Sequence, residues 1–131
     1  MSPRDNVQLS HPHDTHLSAG LRFGMELIAW VAAPTAVYAI AGGLAATVVL
    51  SLLVALPAVF STPGDKRQVI VPTPGPVRVA IEMLLYAAAA FAPWMLWSAA
   101  VCLGTTMWVL TALLCGLPRL GWLLRGAPVE D

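Results

Sequence analysis

Two short stretches set an arginine and a glutamate four residues apart inside otherwise apolar runs. The first, LRFGMELIAW, carries Arg22 and Glu26; the second, VRVAIEMLLY, begins at Val77 and carries Arg78 and Glu82 at the same spacing, fifty-six residues further on. Residues four apart share one face of a helix, so each pair is either a local ion pair or half of a larger one between helices. A carboxylate in an apolar setting has two uses. Held against a cation it fastens helices together; open to water it exchanges a proton or a small cation.

Other residues that could do chemistry are few. His11, His13, Asp14 and His16 in HPHDTH have metal-chelating types, but they fall in a polar N-terminal segment that lacks the outer shell that orients ligands, so no metal is expected. Cys102 and Cys115 stand thirteen residues apart on one expected helix. That is about 20 Å at 1.5 Å per residue, too far to bridge, and the role of small buried side chains fits them. There is no serine, histidine and acid arrangement within an apolar stretch, no phosphate-cradling glycine loop and no CxxC pair. Neither an enzyme nor a bound cofactor is expected.

The elements that must position the charges are membrane helices. Of 131 residues, 58% are hydrophobic and 11% charged, with a mean hydropathy of +0.75, whereas soluble domains carry roughly a quarter charged residues. The formal net charge is zero and no basic tract occurs, so nucleic acid is not indicated as a partner. Four apolar stretches approach the ~20 residues that cross a ~30 Å hydrocarbon core. They run over about 19–41, 43–61, 76–97 and 100–117, giving an all-α four-helix transmembrane domain over 19–117. Residues 1–18 read as a mobile polar segment. Gly42 and Gly43 mark the first turn, and Pro63, Pro72, Pro74 and Pro76 mark an extended surface loop between the second and third helices. The last turn falls near Ser98 or near Gly104-Thr105-Thr106. A signal peptide is not the reading of the first span, which starts late, contains Arg22 and Glu26, and is followed by three more.

All seven basic residues fall on the side of the termini and the middle loop. The positive-inside rule makes that side cytoplasmic. Trp94 and Trp97 fit an aromatic belt at the opposite interface, whereas Trp30 and Trp108 lie too deep for one. In the tail, 118–131, Leu117, Leu120, Trp122, Leu123 and Leu124 between Arg119 and Arg125 suit a short segment lying in the cytoplasmic interface. Lys66, Arg67, Arg119 and Arg125 are then candidates for lipid head-group contact.

The gapless match of the two Arg/Glu stretches indicates a duplicated helical hairpin, its copies related by an axis along the membrane normal. Arg before Glu is the poorer order for a pair within one helix. A crossed arrangement, Arg22 with Glu82 and Arg78 with Glu26, would make a neutral quartet between the first and third helices. Together, LRFGMEL, ALPAVFSTPGDKR closing the second helix and VRVAIEMLLY opening the third resemble the YrdB-like family of small four-helix bacterial membrane proteins. The resemblance covers about residues 20–115 and matches at Arg22, Phe23, Glu26, Pro63 and Glu82; the histidine-bearing N-terminus and the tail after Pro118 depart from it. It implies a fold and a bacterial inner-membrane location, and assigns no activity.

The function expected is that of a structural or accessory subunit of a membrane assembly, with a second copy or another membrane protein as partner. The alternative is a proton-coupled small transporter or channel using a membrane glutamate. Depth favours the first, because both glutamates lie about a turn from the cytoplasmic boundary rather than at the midplane. A third use of the charges is head-group binding by Arg22, Arg78, Lys66 and Arg67. For topology, a reporter fused after residue 131 is expected to read the cytoplasm and one inserted at Gly42 the opposite compartment. A periplasmic signal from the C-terminal fusion would reverse the orientation.

Overall fold

The computed structural model describes residues 15–62 and 70–127. Among the described residues the fold is helical apart from one two-residue strand pair, with four α-helices. Helix α1 spans His16–Ala41. It starts before the expected residue 19 because Thr15 and Ser18 form a capping box: the Thr15 hydroxyl accepts from the Ser18 N–H at 3.0 Å, and the Ser18 hydroxyl accepts from the Thr15 N–H at 2.9 Å. It stops at Gly42, whose φ of 90° a side chain would disfavour.

Helix α2, Gly43–Val59, is 17 residues long and gives way at Phe60 to extended backbone. Strand β1 (Phe60–Ser61) then pairs in parallel with β2 (Val71–Pro72). The extended, proline-marked connection expected between the second and third helices is found wherever that loop is described. Helix α3, Gly75–Phe91, has a proline in its first turn, where the missing N–H is tolerated. A 3₁₀ turn over Ala92–Met95 continues it past Pro93. Ser98 precedes helix α4, Ala99–Leu124. The last turn is thus at Ser98, and Gly104-Thr105-Thr106 lies inside α4.

The tail is where the sequence reading needs correction. Helix α4 does not end at 117 but runs through Pro118 to Leu124. Pro118 removes one backbone hydrogen bond. Against that loss, Gly116, Arg119, Leu120 and Leu123, spaced three and four apart on one helix face, are all buried, as is Trp122. The helix closes in a Schellman arrangement: the Gly126 N–H donates to the Leu123 carbonyl and the Ala127 N–H to the Trp122 carbonyl, each at 3.0 Å, with Gly126 at φ 87°.

Helix α1 is central and packs on the other three; α3 packs on α4, and α2 lies mainly along α1. Its buried stripe of Met25, Ala29, Ala32, Ala33 and Ala36 is mostly alanine, which lets neighbours approach closely. Among the described residues three helical stretches, His16–Ala41, Gly75–Met95 and Ala99–Leu124, are long and apolar enough to cross a membrane, while α2 is apolar but shorter. Large apolar side chains face outward along every helix, among them Ile40, Leu44, Phe91 and Leu114.

The start of α3 and the end of α4 meet at backbone distance, since a Cβ on Gly75 would run into the Leu123 carbonyl. Gly75→Ala is expected to lower stability by about 1–3 kcal/mol through overpacking. Gly104→Ala, where a Cβ meets nothing within 4 Å, should be neutral or gain up to about 1 kcal/mol of helix propensity. Thermal melts in detergent compare them; equal melting of Gly75→Ala and the parent would rule out the close approach.

Candidate functional site

Four residues apart on α3, Arg78 and Glu82 point to the same side and are both fully buried. A lone ionised carboxylate there would be costly, so its partners decide whether the site exists. The nearest is Arg119 of α4, itself 2% exposed. Its Nη1 donates to both carboxylate oxygens of Glu82, at 2.8 and 2.7 Å. Arg78 Nε stands 3.7 Å from Oε2, and Arg22 Nε of α1 stands 4.0 Å from Oε1. One carboxylate thus gathers three guanidinium groups from three helices.

The fourth helix is tied in through backbone. The last carbonyls of a helix have no partner within it and carry the negative end of its dipole. Arg78 Nη1 donates to the carbonyls of Pro57 and Phe60, at 2.9 and 3.0 Å, at the end of α2. Arg78 therefore caps α2 while its Nε faces Glu82. All four helices meet at this cluster.

Tyr86 lies one turn deeper on α3. It is buried, lies within electrostatic reach of Glu82, Arg22, Arg119 and Glu26, and has its hydroxyl against Gly116, where a Cβ would lie 3.7 Å away. A second set of donors serves the helix backbones. Pro57 has no N–H for the Leu53 carbonyl, and the Trp30 indole supplies one at 3.2 Å. The Trp108 indole donates to the Leu21 carbonyl at 3.0 Å, which gives both deep tryptophans partners inside the bundle.

Of the four charges expected to converge, Arg22, Arg78 and Glu82 do so, and Glu26 is half-buried on α1. They do not gather symmetrically: Arg78 and Glu82 are enclosed, whereas the Arg22 side chain is 18% exposed. Arg119, expected at the lipid interface, is instead the closest partner of Glu82. The extension of α4 past Pro118 carries it inward on the face that also holds Gly116, Leu120 and Leu123. That three-and-four spacing of small, apolar and basic residues was a legible signal, hidden by reading Pro118 as a stop. Arg125 is exposed at the end of α4. Lys66, Arg67 and Pro63, like His11, His13 and Asp14, lie outside the described residues.

His16 is exposed at the first position of α1, and among the described residues no group of three metal-ligating side chains occurs. Both cysteines are free. Cys102 is buried and its thiol donates to the Pro93 carbonyl at 3.1 Å, pinning the turn into α4. In comparisons with known proteins, no family model matches the chain, and neither a curated protein nor a solved structure matches it.

The distances rank the contacts. Glu82→Gln should leave the three arginines without their common counter-charge and destabilise the protein by about 3–5 kcal/mol, the cost of breaking a buried pair. In double-mutant cycles read by thermal unfolding, Glu82→Gln should couple more strongly to Arg119→Leu than to Arg22→Leu. Equal couplings would mean that the 2.7 Å and 4.0 Å contacts do not differ in energy, contrary to this ranking.

Proposed function

We propose that the chain is a small multi-pass protein of the bacterial inner membrane, with all four helices crossing and both termini cytoplasmic, and that it acts as a structural or accessory subunit of a membrane assembly. The one observation that carries this reading is the state of Glu82. Its two oxygens accept from Arg119, two further arginines face it, and it is fully buried. A carboxylate that exchanges protons must alternate between charged and neutral forms and meet water on the way. Fully buried and gripped by guanidinium groups from three helices, Glu82 is placed to tie those helices together, which suits a fastener and not a carrier.

The lipid bilayer is the first partner in this reading, and a second copy or another membrane protein the next. Support comes from the outward-facing leucine, isoleucine and phenylalanine side chains, from the three long apolar helices, and from the placement of every described arginine at the end where α1 and α3 begin and α2 and α4 finish. The YrdB-like resemblance points the same way and adds no activity.

Reconstitution in vesicles tests structure against transport. Vesicles holding the protein should lose an imposed pH gradient no faster than empty ones, and Glu82→Gln should melt well below the parent. A proton flux abolished by Glu82→Gln with the melting temperature unchanged would establish the transporter instead. In mild detergent the native species should run larger than one 13.8 kDa chain; a lone monomer would remove the subunit role.

A further inference from the structure

We infer that the connection between α2 and α3 dips back into the bilayer at β2, seating Ile70 and Val71 among the acyl chains of the cytoplasmic leaflet. The inference rests on the membrane reading above and goes beyond it by naming a re-entrant segment and the lipid region that covers it.

The direction of the strands carries the argument. Antiparallel strands can be joined by a two-residue turn, whereas parallel ones require the chain to travel back before the second strand begins. Strand β1 follows directly on α2, and β2 lies parallel to it with Phe60 opposite Val71. At Val71 the chain is therefore level again with the end of α2, and Ile70 enters at that level.

This level lies below the tips of the long helices. The carbonyls of Pro57 and Phe60 both accept from the fully buried Arg78, so the end of α2 stands at the depth of the charge cluster. From the cluster α1 reaches six residues further, from Arg22 back to His16, and α4 five, from Arg119 to Leu124. Those lengths are about 9 Å and about 8 Å at 1.5 Å per residue. After β2 the chain leads up to Gly75, whose backbone lies against Leu123 near the tip of α4. Helix α2 itself has 17 residues, about 26 Å, which falls short of a ~30 Å hydrocarbon core.

The chemistry at this depth suits hydrocarbon. Residues 60–62 and 70–74 carry no charge. Ile70 is 68% exposed and Val71 39%, and Pro72 is exposed beside them, while Thr62 and Thr73 are buried. Backbone outside a helix is tolerated at membrane depth only where its polar groups are served from within the protein. Here β1 and β2 pair with each other, the Phe60 carbonyl accepts from Arg78, and the Val71 carbonyl accepts from the Thr73 hydroxyl at 3.0 Å. A connection lying in water would need none of these.

The test uses the full chain with Cys102→Ser and Cys115→Ser, reconstituted in phosphatidylcholine vesicles. A nitroxide is attached at Ile70→Cys, at Leu114→Cys within α4, or at His16→Cys at the exposed tip of α1. Its collisions with oxygen, which concentrates in lipid, are compared with those of a nickel chelate, which stays in water. The oxygen-to-nickel ratio at position 70 should be severalfold above that at position 16 and close to that at position 114. Should Ile70→Cys fail to fold, Val71→Cys reads the same depth. A nitroxide at position 70 or 71 that meets nickel as often as one at position 16 would overturn the dip. Shielding from both reagents would mean that protein, not lipid, covers the strand, and would overturn it equally. Failure of the membrane reading looks different: the nitroxide at position 114 would then itself collide freely with nickel.

Discussion

A carboxylate with no exposure to solvent holds this molecule together. Glu82 sits among apolar helices, where an isolated negative charge would cost several kcal/mol, and it is stable only because arginines on three helices converge on it. The requirement works in both directions. Arg119 and Arg78 are themselves buried cations, so each is as dependent on Glu82 as Glu82 is on them. This mutual need fixes the rotation of α3, brings the end of α4 against the start of α3, and explains why α4 continues through a proline. Stopping at Pro118 would leave Arg119 outside and Glu82 without its closest partner.

A related rule governs the backbone. An apolar environment offers no water to carbonyls that a helix leaves unpaired, so other groups must reach them. Arg78 serves the end of α2, and the Trp30 indole serves the carbonyl released by Pro57. Residues that look misplaced on a hydropathy profile, such as an arginine or a deep tryptophan, are the donors that irregular backbone needs. Side-chain charge and backbone satisfaction meet in Arg78, which faces Glu82 with one nitrogen and caps α2 with another.

Much of this was legible in the sequence, and what was not has identifiable causes. The helices begin within a few residues of where hydropathy places them, the glycine turn at Gly42 is where it was read, and the four-residue spacing of Arg78 and Glu82 sets both on one buried face of α3. The start of α1 was missed because its capping box uses Ser18 in place of the usual glutamate or glutamine. Arg119 was missed because proline is a sound local stop signal, and only the burial of the face behind it, a tertiary effect, outweighs the lost hydrogen bond. Single-sequence reasoning sees the cost of Pro118 and not the compensation.

The two Arg/Glu stretches therefore share a spacing and differ in surroundings. On α3 the pair is enclosed, because α4 is long enough to deliver Arg119 while the end of α2 presents carbonyls to Arg78. On α1 the same residue types stay nearer the surface: Glu26 is half-buried and Arg22 keeps part of its side chain exposed. The difference in length between α2, at 17 residues, and α4, at 26, goes with this asymmetry. It also divides the labour between the pairs. A charge enclosed by three cations serves to join helices, whereas a pair at the edge can meet lipid or water. Any exchange with the surroundings at these two pairs falls to Arg22 and Glu26, with Glu82 as the anchor behind them.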